Sequence, residues 1–158
     1  MSEPSLYKGL SARLIKTFGM AELEARKLKY ATTGTEALLM GMLTEGTSKA
    51  ARFLRTKGVT LYAVKQETVK LLGKGDMYYN PPEHPPVTEP GKKALEAAHS
   101  YRKTLSGGEG EVTTEHLLLG LLDQTAATAA QVLKTLGIDD AAYEELKHLA
   151  AGQATTVA

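Results

Sequence analysis

The sequence has no cysteine and no tryptophan, and only two of its 158 residues are phenylalanine. The lack of cysteine excludes disulfide bridges, thiol catalysis and cysteine-ligated zinc. Because large aromatic rings are so few, we expect an aliphatic core that is rich in alanine. No apolar run approaches the roughly 18 residues that a membrane span requires, and no signal peptide is visible at the N-terminus. A soluble protein is therefore expected.

An excess of charge of one sign is also lacking, since 19 basic and 18 acidic residues give a net charge of +1. This balance excludes the strongly basic type of nucleic-acid-binding protein. The distribution is uneven, because residues 1–80 carry 13 basic and 7 acidic side chains, whereas residues 81–158 carry 6 and 11. The first half therefore has a net charge of +6 and the second of −5, as expected if their surfaces meet different partners.

Apolar residues recur at spacings of three and four through most of the chain, and this periodicity predicts amphipathic helices. The longest such stripe covers residues 10–28. Three shorter periodic stretches end at Gly46, Gly58 and Gly73, where glycine is the usual helix stop. Five of the six prolines lie within residues 81–90, so no helix or central strand is expected to cross that stretch. The predicted fold is all-α with a semi-extended linker in the middle.

The second half of the chain repeats the first at an offset of 79 residues. The segment TEALLMGML of residues 35–43 corresponds to TEHLLLGLL of residues 114–122. Eleven of the 25 positions from Thr35 to Val59 are identical to their counterparts without a gap. Further upstream, the first helices align at an offset near 77. The sequence therefore predicts a duplicated four-helix unit.

A unit of about 70 residues rarely buries enough apolar surface to fold alone. We therefore expect the two copies to pack together as one pseudo-twofold, eight-helix domain over residues 1–158. The expected parts are repeat 1 at about 6–75, a linker at about 76–87 and repeat 2 at about 88–151.

Motifs of catalysis and of metal binding are missing from the sequence. The segment Gly73-Lys74-Gly75 has neither the upstream glycine nor the following hydroxyl residue of a phosphate-binding loop, and it is predicted to end a helix. No Gly-x-Ser-x-Gly nucleophile elbow occurs. Metal-ligand spacing is absent from the four histidines, which are His84, His99, His116 and His148. No enzymatic activity, cofactor or metal is expected.

The duplicated pattern Thr-Glu-x-Leu-Leu-x-Gly, at residues 35–41 and 114–120, resembles the paired Clp N-terminal repeats of Clp-type AAA+ chaperones. This resemblance covers nearly the whole chain and implies the double Clp-N fold. A narrower resemblance, at residues 33–41, 67–78 and 82–86, is to ClpT, the family of small stand-alone subunits of the plastid Clp protease.

The ClpT resemblance implies a non-catalytic accessory protein of the chloroplast stroma. Members of that family associate with the mixed ClpP/ClpR peptidase core and support its assembly, stability or regulation. A Clp-type AAA+ chaperone is a further partner that the resemblance suggests. No nucleic acid and no membrane is expected among the partners.

The linker of the ClpT family carries a Met-Tyr-Phe-Phe tetrapeptide, and the corresponding residues here are Met77, Tyr78, Tyr79 and Asn80. The third position keeps an aromatic ring and the fourth loses it. The residues alone leave two roles open for the tyrosines. They either anchor the linker across the groove between the repeats or form an exposed amphipathic anchor of the kind found at protein interfaces. The resemblance favours partner binding by Met77, Tyr78 and Tyr79.

Lys49, Arg52 and Arg55 recur every three residues and share one face of the third predicted helix. Their counterparts in the second repeat are Thr128, Gln131 and Lys134, so the shared fold does not require a basic face here. This face is either a solvated surface or a docking surface for an acidic patch of a protein partner.

Glu36 and Glu115 each lie at the start of the second helix of a repeat. Residues 33–36 have the spacing of a capping box, and a carboxylate in the first turn suits the helix dipole. The second repeat has Val112 in place of Thr33, so only the dipole argument applies there. By the resemblance, the corresponding glutamates of some bacterial Clp N-domains help to bind phosphorylated arginine on substrates. The alternative function is therefore a Clp chaperone N-domain, or an adaptor-like module, that recognises substrates or adaptors.

Overall fold

The computed structural model describes residues 1–152, and within them the chain forms nine α-helices and no strand. The all-α prediction is confirmed. None of these helices is long and apolar enough to cross a membrane. The helices are α1 (Glu3–Leu6), α2 (Ala12–Lys27), α3 (Thr35–Glu45), α4 (Lys49–Thr56), α5 (Leu61–Leu72), α6 (Glu89–Leu105), α7 (Thr114–Asp123), α8 (Thr128–Thr135) and α9 (Asp140–Ala150).

Eight of these helices form the two predicted sets of four, α2–α5 and α6–α9, which we call repeat 1 and repeat 2. The additional helix α1 has only four residues, too few to show a periodic apolar stripe. The side chain of Ser2 caps it by accepting the backbone N–H of Ser5 at 3.3 Å. The predicted helix stops at Gly46 and Gly73 are confirmed, since both residues cap a helix with a φ of 76°.

The core is aliphatic, as the sparse aromatic content predicts. Every one of the largest fully buried side chains is a leucine or a methionine, and several alanines of α2, α3 and α4 are also fully buried. The second helix of each repeat, α3 or α7, lies at the centre of its repeat with most of its residues buried. These two central helices carry the duplicated Thr-Glu-x-Leu-Leu-x-Gly pattern.

The glycine of that pattern allows the first and second helices of each repeat to pack closely. A Cβ atom on Gly41 would overlap the backbone of α2 at Thr17 and Ala21. A Cβ atom on Gly120 would overlap the carbonyl group of Ala94 in α6. Real Cβ atoms do not approach a backbone so closely, so glycine is required at both positions by packing.

The two repeats are joined by a pair of equivalent backbone contacts. The N–H of Val112 donates to the carbonyl of Gly9, and the N–H of Ser11 donates to the carbonyl of Val112, both at 2.9 Å. At the pseudo-equivalent place, the N–H of Thr33 donates to the carbonyl of Pro86 at 2.8 Å. Each repeat thus pairs a short extended segment with the other, and the end of the proline-rich linker is part of the joint.

The close approach of α2 and α3 makes Gly41→Ala a destabilising change. We expect a loss of about 1–3 kcal/mol in the free energy of unfolding, because the added methyl group forces the two backbones apart. Gly19→Ala is the matched control, since a Cβ atom there meets nothing within 4 Å. That variant should gain roughly 0.5–1 kcal/mol from the better helix propensity of alanine. Urea denaturation followed by circular dichroism measures both, and equal stabilities of Gly41→Ala and wild type would contradict the packing argument.

Candidate protein-binding surfaces

Residues Asp76–Tyr79 form a tight turn at the start of the linker, which we call the linker turn. The N–H of Tyr79 donates to the carbonyl of Asp76, and the N–H of Tyr78 donates to the Asp76 carboxylate, both at 2.9 Å. The exposed fractions are 72% for Met77, 89% for Tyr78 and 39% for Tyr79. The side chains of Met77 and Tyr78 are therefore largely exposed, whereas more than half of the Tyr79 surface is covered.

The base of the linker turn is fixed to the end of α2. The hydroxyl of Tyr30 donates to the carbonyl of Gly73 at 2.7 Å, and the N–H of Gly75 donates to the carbonyl of Leu28 at 3.1 Å. A Cβ atom on Gly75 would overlap the backbone of Lys29, so glycine is required for this approach. The turn therefore presents its apolar side chains from a constrained base.

Two leucines extend the apolar character of this surface. Helical periodicity places Leu71 on the same stripe as the buried Val64 and Thr68, yet half of the Leu71 surface is exposed. Leu72 is exposed to the same extent. The helix α5 buries side chains only in its earlier turns, so its last turn adds two apolar side chains next to the linker. Periodicity alone could not reveal this, because it does not show where the neighbouring helices end.

The basic face of α4 is exposed at Lys49, Arg52 and Arg55. The structure places Arg13 of α2 beside it, where the Arg13 guanidinium donates to the hydroxyl of Thr47 at 2.9 Å. Arg13, Lys49 and Arg52 line one cleft of about 310 Å³, to which repeat 2 contributes the acidic residues Glu111 and Glu115. The sequence did not identify Arg13 as a member of this set, because it belongs to a different helix 36 residues upstream of Lys49.

The linker turn and the basic face lie at opposite ends of α2. Arg13 is in the first turn of that helix, whereas Leu28 and Lys29, which hold the base of the linker turn, follow its last turn. A helix of 16 residues is about 24 Å long. The structure therefore places the predicted partner-binding residues in two separate groups, on α4 and in the linker turn, near opposite ends of α2.

The carboxylate of Glu115 is built into the joint between the repeats. Its Oε2 atom accepts the backbone N–H of Ala50, in the first turn of α4, at 2.9 Å. The pseudo-equivalent N–H is that of Ala129, in α8, and it donates to the hydroxyl of Thr35 at 3.0 Å rather than to Glu36. The equivalent backbone N–H groups at the starts of α4 and α8 are therefore hydrogen-bonded by different side chains, a glutamate in one case and a threonine in the other.

The carboxylate of Glu36 folds back over Gly34 and is almost fully buried, with 6% of the residue exposed. Burial raises its pKa above the ordinary range, although the backbone N–H groups of the first turn of α3 act in the opposite direction. Within residues 1–152, no lysine, arginine or histidine forms an ion pair with it. Glu36 lines a cleft of about 510 Å³ together with Tyr30 and Leu72. Such a carboxylate can accept a cationic group of a ligand.

The predicted capping box at residues 33–36 is wrong. The N-cap of α3 is Gly34, which has no side chain to accept a hydrogen bond. The hydroxyl of Thr33 donates instead to the carbonyl of Pro85 at 2.7 Å and so binds the linker. A spacing motif cannot reveal this, because the competing acceptor lies 52 residues away in sequence.

A capping box is present in repeat 2, where none was expected. The hydroxyl of Thr113 accepts the N–H of His116 at 3.4 Å, and the Nδ1 atom of His116 accepts the N–H of Thr113 at 2.9 Å. Burial lowers the pKa of His116 to about 4, so the ring is neutral at pH 7 and Nδ1 can accept. The usual partner at this position is a glutamate or a glutamine, which is why the sequence pattern did not indicate the box.

The other histidines lie on separate elements. His99 of α6 contacts the carbonyl of Leu6 through Nε2 at 2.7 Å, and His84 of the linker pairs with Glu22 of α2 at 3.0 Å. His148 lies on α9. In the part of the chain that the structure describes, no three histidine, aspartate or glutamate side chains form a group able to hold a metal ion.

The different roles of the two glutamates predict opposite effects on stability. Glu36→Gln should stabilise the protein at pH 7, because it removes a buried charge and keeps the shape of the side chain. A carboxyl whose folded-state pKa is raised loses its contribution to stability as the pH rises through that pKa. The gain should therefore be small near pH 4 and reach a plateau at higher pH.

Glu115→Ala should destabilise the protein by about 1–3 kcal/mol, because the buried N–H of Ala50 loses its acceptor. Urea denaturation at several pH values measures both variants. A shift of stability in the same direction for both would contradict the asymmetry between the repeats.

Sequence comparison identifies relatives among Clp proteins. The chain is 36% identical over 135 residues to the "ATP-dependent Clp protease ATP-binding subunit ClpA homolog" of Cyanidium caldarium, and 35% identical over 135 residues to "Chaperone protein ClpC2, chloroplastic" of Oryza sativa subsp. japonica. Each match covers 85% of this chain, but only 15% and 14% of the respective relative. The chain thus corresponds to a small part of the length of these proteins.

Solved structures share the fold. The N-terminal domain of the chaperone ClpD from Arabidopsis thaliana matches with a TM-score of 0.69 and 21% identity, over 96% of this chain and 97% of that one. A ClpV N-domain in complex with a VipB peptide matches with a TM-score of 0.70 and 19% identity, over 95% and 90% of the two chains. The family described as the Clp repeat (R) N-terminal domain matches residues 9–136 and 104–157. The duplicated helices, the shared glycine packing and these matches lead to one conclusion: the chain belongs to the Clp repeat N-terminal domain family.

Proposed function

We propose that the protein is a non-catalytic accessory subunit that binds the ClpP/ClpR core of the plastid Clp protease and supports its assembly, stability or regulation. The observation that carries this proposal is the linker turn. It leaves Met77 72% and Tyr78 89% exposed, and an aromatic side chain with a polar hydroxyl is typical of the centre of protein interfaces. Covering these side chains with a partner recovers hydrophobic free energy that the isolated chain does not gain.

The constrained base of the linker turn supports the same proposal. The Tyr30–Gly73 and Gly75–Leu28 hydrogen bonds hold the segment that precedes the turn. A preorganised segment loses less conformational entropy on binding than a flexible one. The turn is therefore suited to insert its aromatic side chains into a pocket of a larger partner.

The charge of repeat 1 supports an acidic partner surface. Lys49, Arg52 and Arg55 are exposed, and Arg13 extends this basic face across to α2. Opposite charges across an interface speed up association and select among partners more than they raise affinity. In this proposal the basic face orients the subunit on the core, and the linker turn supplies most of the binding free energy.

A plastid location is part of this proposal. The relatives include chaperones of Oryza sativa and Pisum sativum that are named chloroplastic. The ClpT resemblance of the linker supports the stroma as the compartment. The Clp-type AAA+ chaperone that works with the core is a second partner in this proposal.

A second candidate function is that of a Clp chaperone N-domain, or an adaptor-like module, that recognises substrates or adaptors. The observation that favours it is the buried Glu36 carboxylate beside the 510 Å³ cleft, which can accept a basic side chain of a peptide. The related ClpV N-domain was solved with a peptide bound. Glu115 is less available for such a role, because its carboxylate already accepts the N–H of Ala50.

Titration of purified ClpP/ClpR core with the protein, followed by native mass spectrometry, distinguishes the two functions. Wild type should bind, and the double variant Tyr78→Ala, Tyr79→Ala should bind about tenfold more weakly or worse, because two interface aromatics are lost. Tyr62→Ala is the matched control, since Tyr62 is 71% exposed at the other end of α5 and should leave binding unchanged.

Three results would count against the proposal. Absence of wild-type binding would overturn the accessory function. Undiminished binding of the double tyrosine variant would show that the linker turn is not the contact. Loss of binding in Glu36→Gln, with normal binding of the tyrosine variant, would instead support recognition through the Glu36 cleft.

A further inference from the structure

The solvent-facing side of α2 carries an apolar stripe. Ala12, Ile15, Gly19 and Leu23 are all exposed, and their spacings of three and four place them on one face of the helix. The exposed fraction is 59% for Ile15 and 48% for Leu23. We call these four residues the α2 stripe.

Repeat 2 shows that the fold does not require apolar side chains at these positions. The first helices of the repeats correspond at an offset of 77, and both pack against a central helix through the same glycine contact. The helix α6 therefore provides a comparison within the same molecule. Its residues at the four stripe positions are all polar, namely Glu89, Lys92, Glu96 and Ser100.

The polar residues of α6 have their own contacts. Lys92 pairs with Glu3 at 3.0 Å, and Glu96 lies 3.7 Å from the N-terminal amino group of Met1. The N-terminal segment thus meets this side of α6 through charged groups. In α2, which packs in the same way, the corresponding residues are exposed and apolar instead of polar. Burying them against a partner would stabilise the complex.

The α2 stripe joins the two groups of predicted partner-binding residues. Its first residue, Ala12, precedes Arg13, which lines the cleft of the basic face. Its last residue, Leu23, follows Glu22, whose carboxylate contacts His84 of the linker at 3.0 Å. The stripe therefore runs along α2 between the end that carries Arg13 and the end whose Glu22 contacts the linker.

The charges beside the first half of the stripe favour an acidic occupant, whereas Glu22 beside Leu23 is paired with His84. Arg13 and Lys16 are exposed next to Ala12 and Ile15, and repeat 1 as a whole has a net charge of +6. A second copy of the chain would bring two such surfaces together and would be repelled at short range. An amphipathic segment with apolar side chains flanked by carboxylates complements both the stripe and its basic edge.

We propose that the α2 stripe docks an acidic, amphipathic segment of the protein partner that also receives the linker turn. This inference rests on the proposed function, in which that partner is the ClpP/ClpR core. Gly19 lies in the middle of the stripe with open space above it, so a side chain of the partner can approach the helix backbone there. The basic face and the linker turn would contact the partner near the two ends of α2, and the stripe would contact it between them. Together these contacts define the orientation of the subunit on its partner.

The variant Ile15→Lys, Leu23→Ser tests the proposal, because it installs the residues that repeat 2 carries at the same positions. The fold should tolerate both changes, and thermal unfolding followed by circular dichroism checks this. Binding to purified ClpP/ClpR core, measured by native mass spectrometry, should weaken at least about tenfold, since two apolar side chains leave the interface. Ser100→Ala, at the stripe position of α6 that corresponds to Leu23, is the matched control and should bind like wild type.

The charge of the occupant is tested separately. Lys16→Glu should weaken binding to the core, whereas Lys16→Arg should bind like wild type. The reason is that attraction to an acidic segment depends on the sign of the charge at this position. A folded Ile15→Lys, Leu23→Ser variant that binds the core like wild type would overturn the stripe proposal and leave the accessory function intact. Absence of wild-type binding would overturn the accessory function and the stripe proposal together. A dimeric mass of the free protein that becomes monomeric in this variant, with unchanged core binding, would identify a second copy as the occupant and overturn the proposal.

Discussion

The fold depends on the exchange of short extended segments between its two repeats. Residues 9–11 pair with Val112, and the end of the linker pairs with Thr33 in the pseudo-equivalent way. Neither repeat is expected to bury enough apolar surface alone, and the exchange makes the two into one unit. The exchange also holds the end of the linker in place, through the bond between Thr33 and Pro86. The Gly75–Leu28 bond fixes the near end, so the linker turn is held between two constrained segments.

The duplication provides an internal comparison between what the fold requires and what is free to vary. Gly41 and Gly120 are shared because both repeats need the same close helix contact. The α2 stripe and the basic face have no apolar or strongly basic equivalents in repeat 2, so they are not requirements of the fold. The same logic applies to the glutamates, since Glu115 accepts the N–H of Ala50 at the start of a helix of the other repeat, whereas Glu36 forms no ion pair within residues 1–152. Residues that differ between the two repeats and do not stabilise the fold are therefore the best candidates for binding a partner.

Local patterns predicted the helices, the duplication, the helix stops and the aliphatic core, because these follow from the periodicity and spacing of nearby residues. Contacts between distant segments were beyond such reasoning. The bond from Ala50 to Glu115 joins residues 65 apart, and the bond from Thr33 to Pro85 replaced the local capping box that the spacing suggested. Arg13 joined the basic face only through tertiary packing. The exposure of Met77 and Tyr78 required the structure, since adjacent aromatic residues fit a groove or a surface equally well by sequence.

Hydrogen–deuterium exchange of the protein, free and bound to purified ClpP/ClpR core, tests the central claim most directly. In the proposed complex the partner lies on the outer side of repeat 1, along α2 and over the linker turn. Backbone amides of residues 12–23 and 76–80 should therefore exchange more slowly on binding, whereas exchange should be unchanged in α6, which occupies the equivalent place in repeat 2. Slower exchange confined to the cleft at Glu36, or equal protection of α2 and α6, would contradict this arrangement.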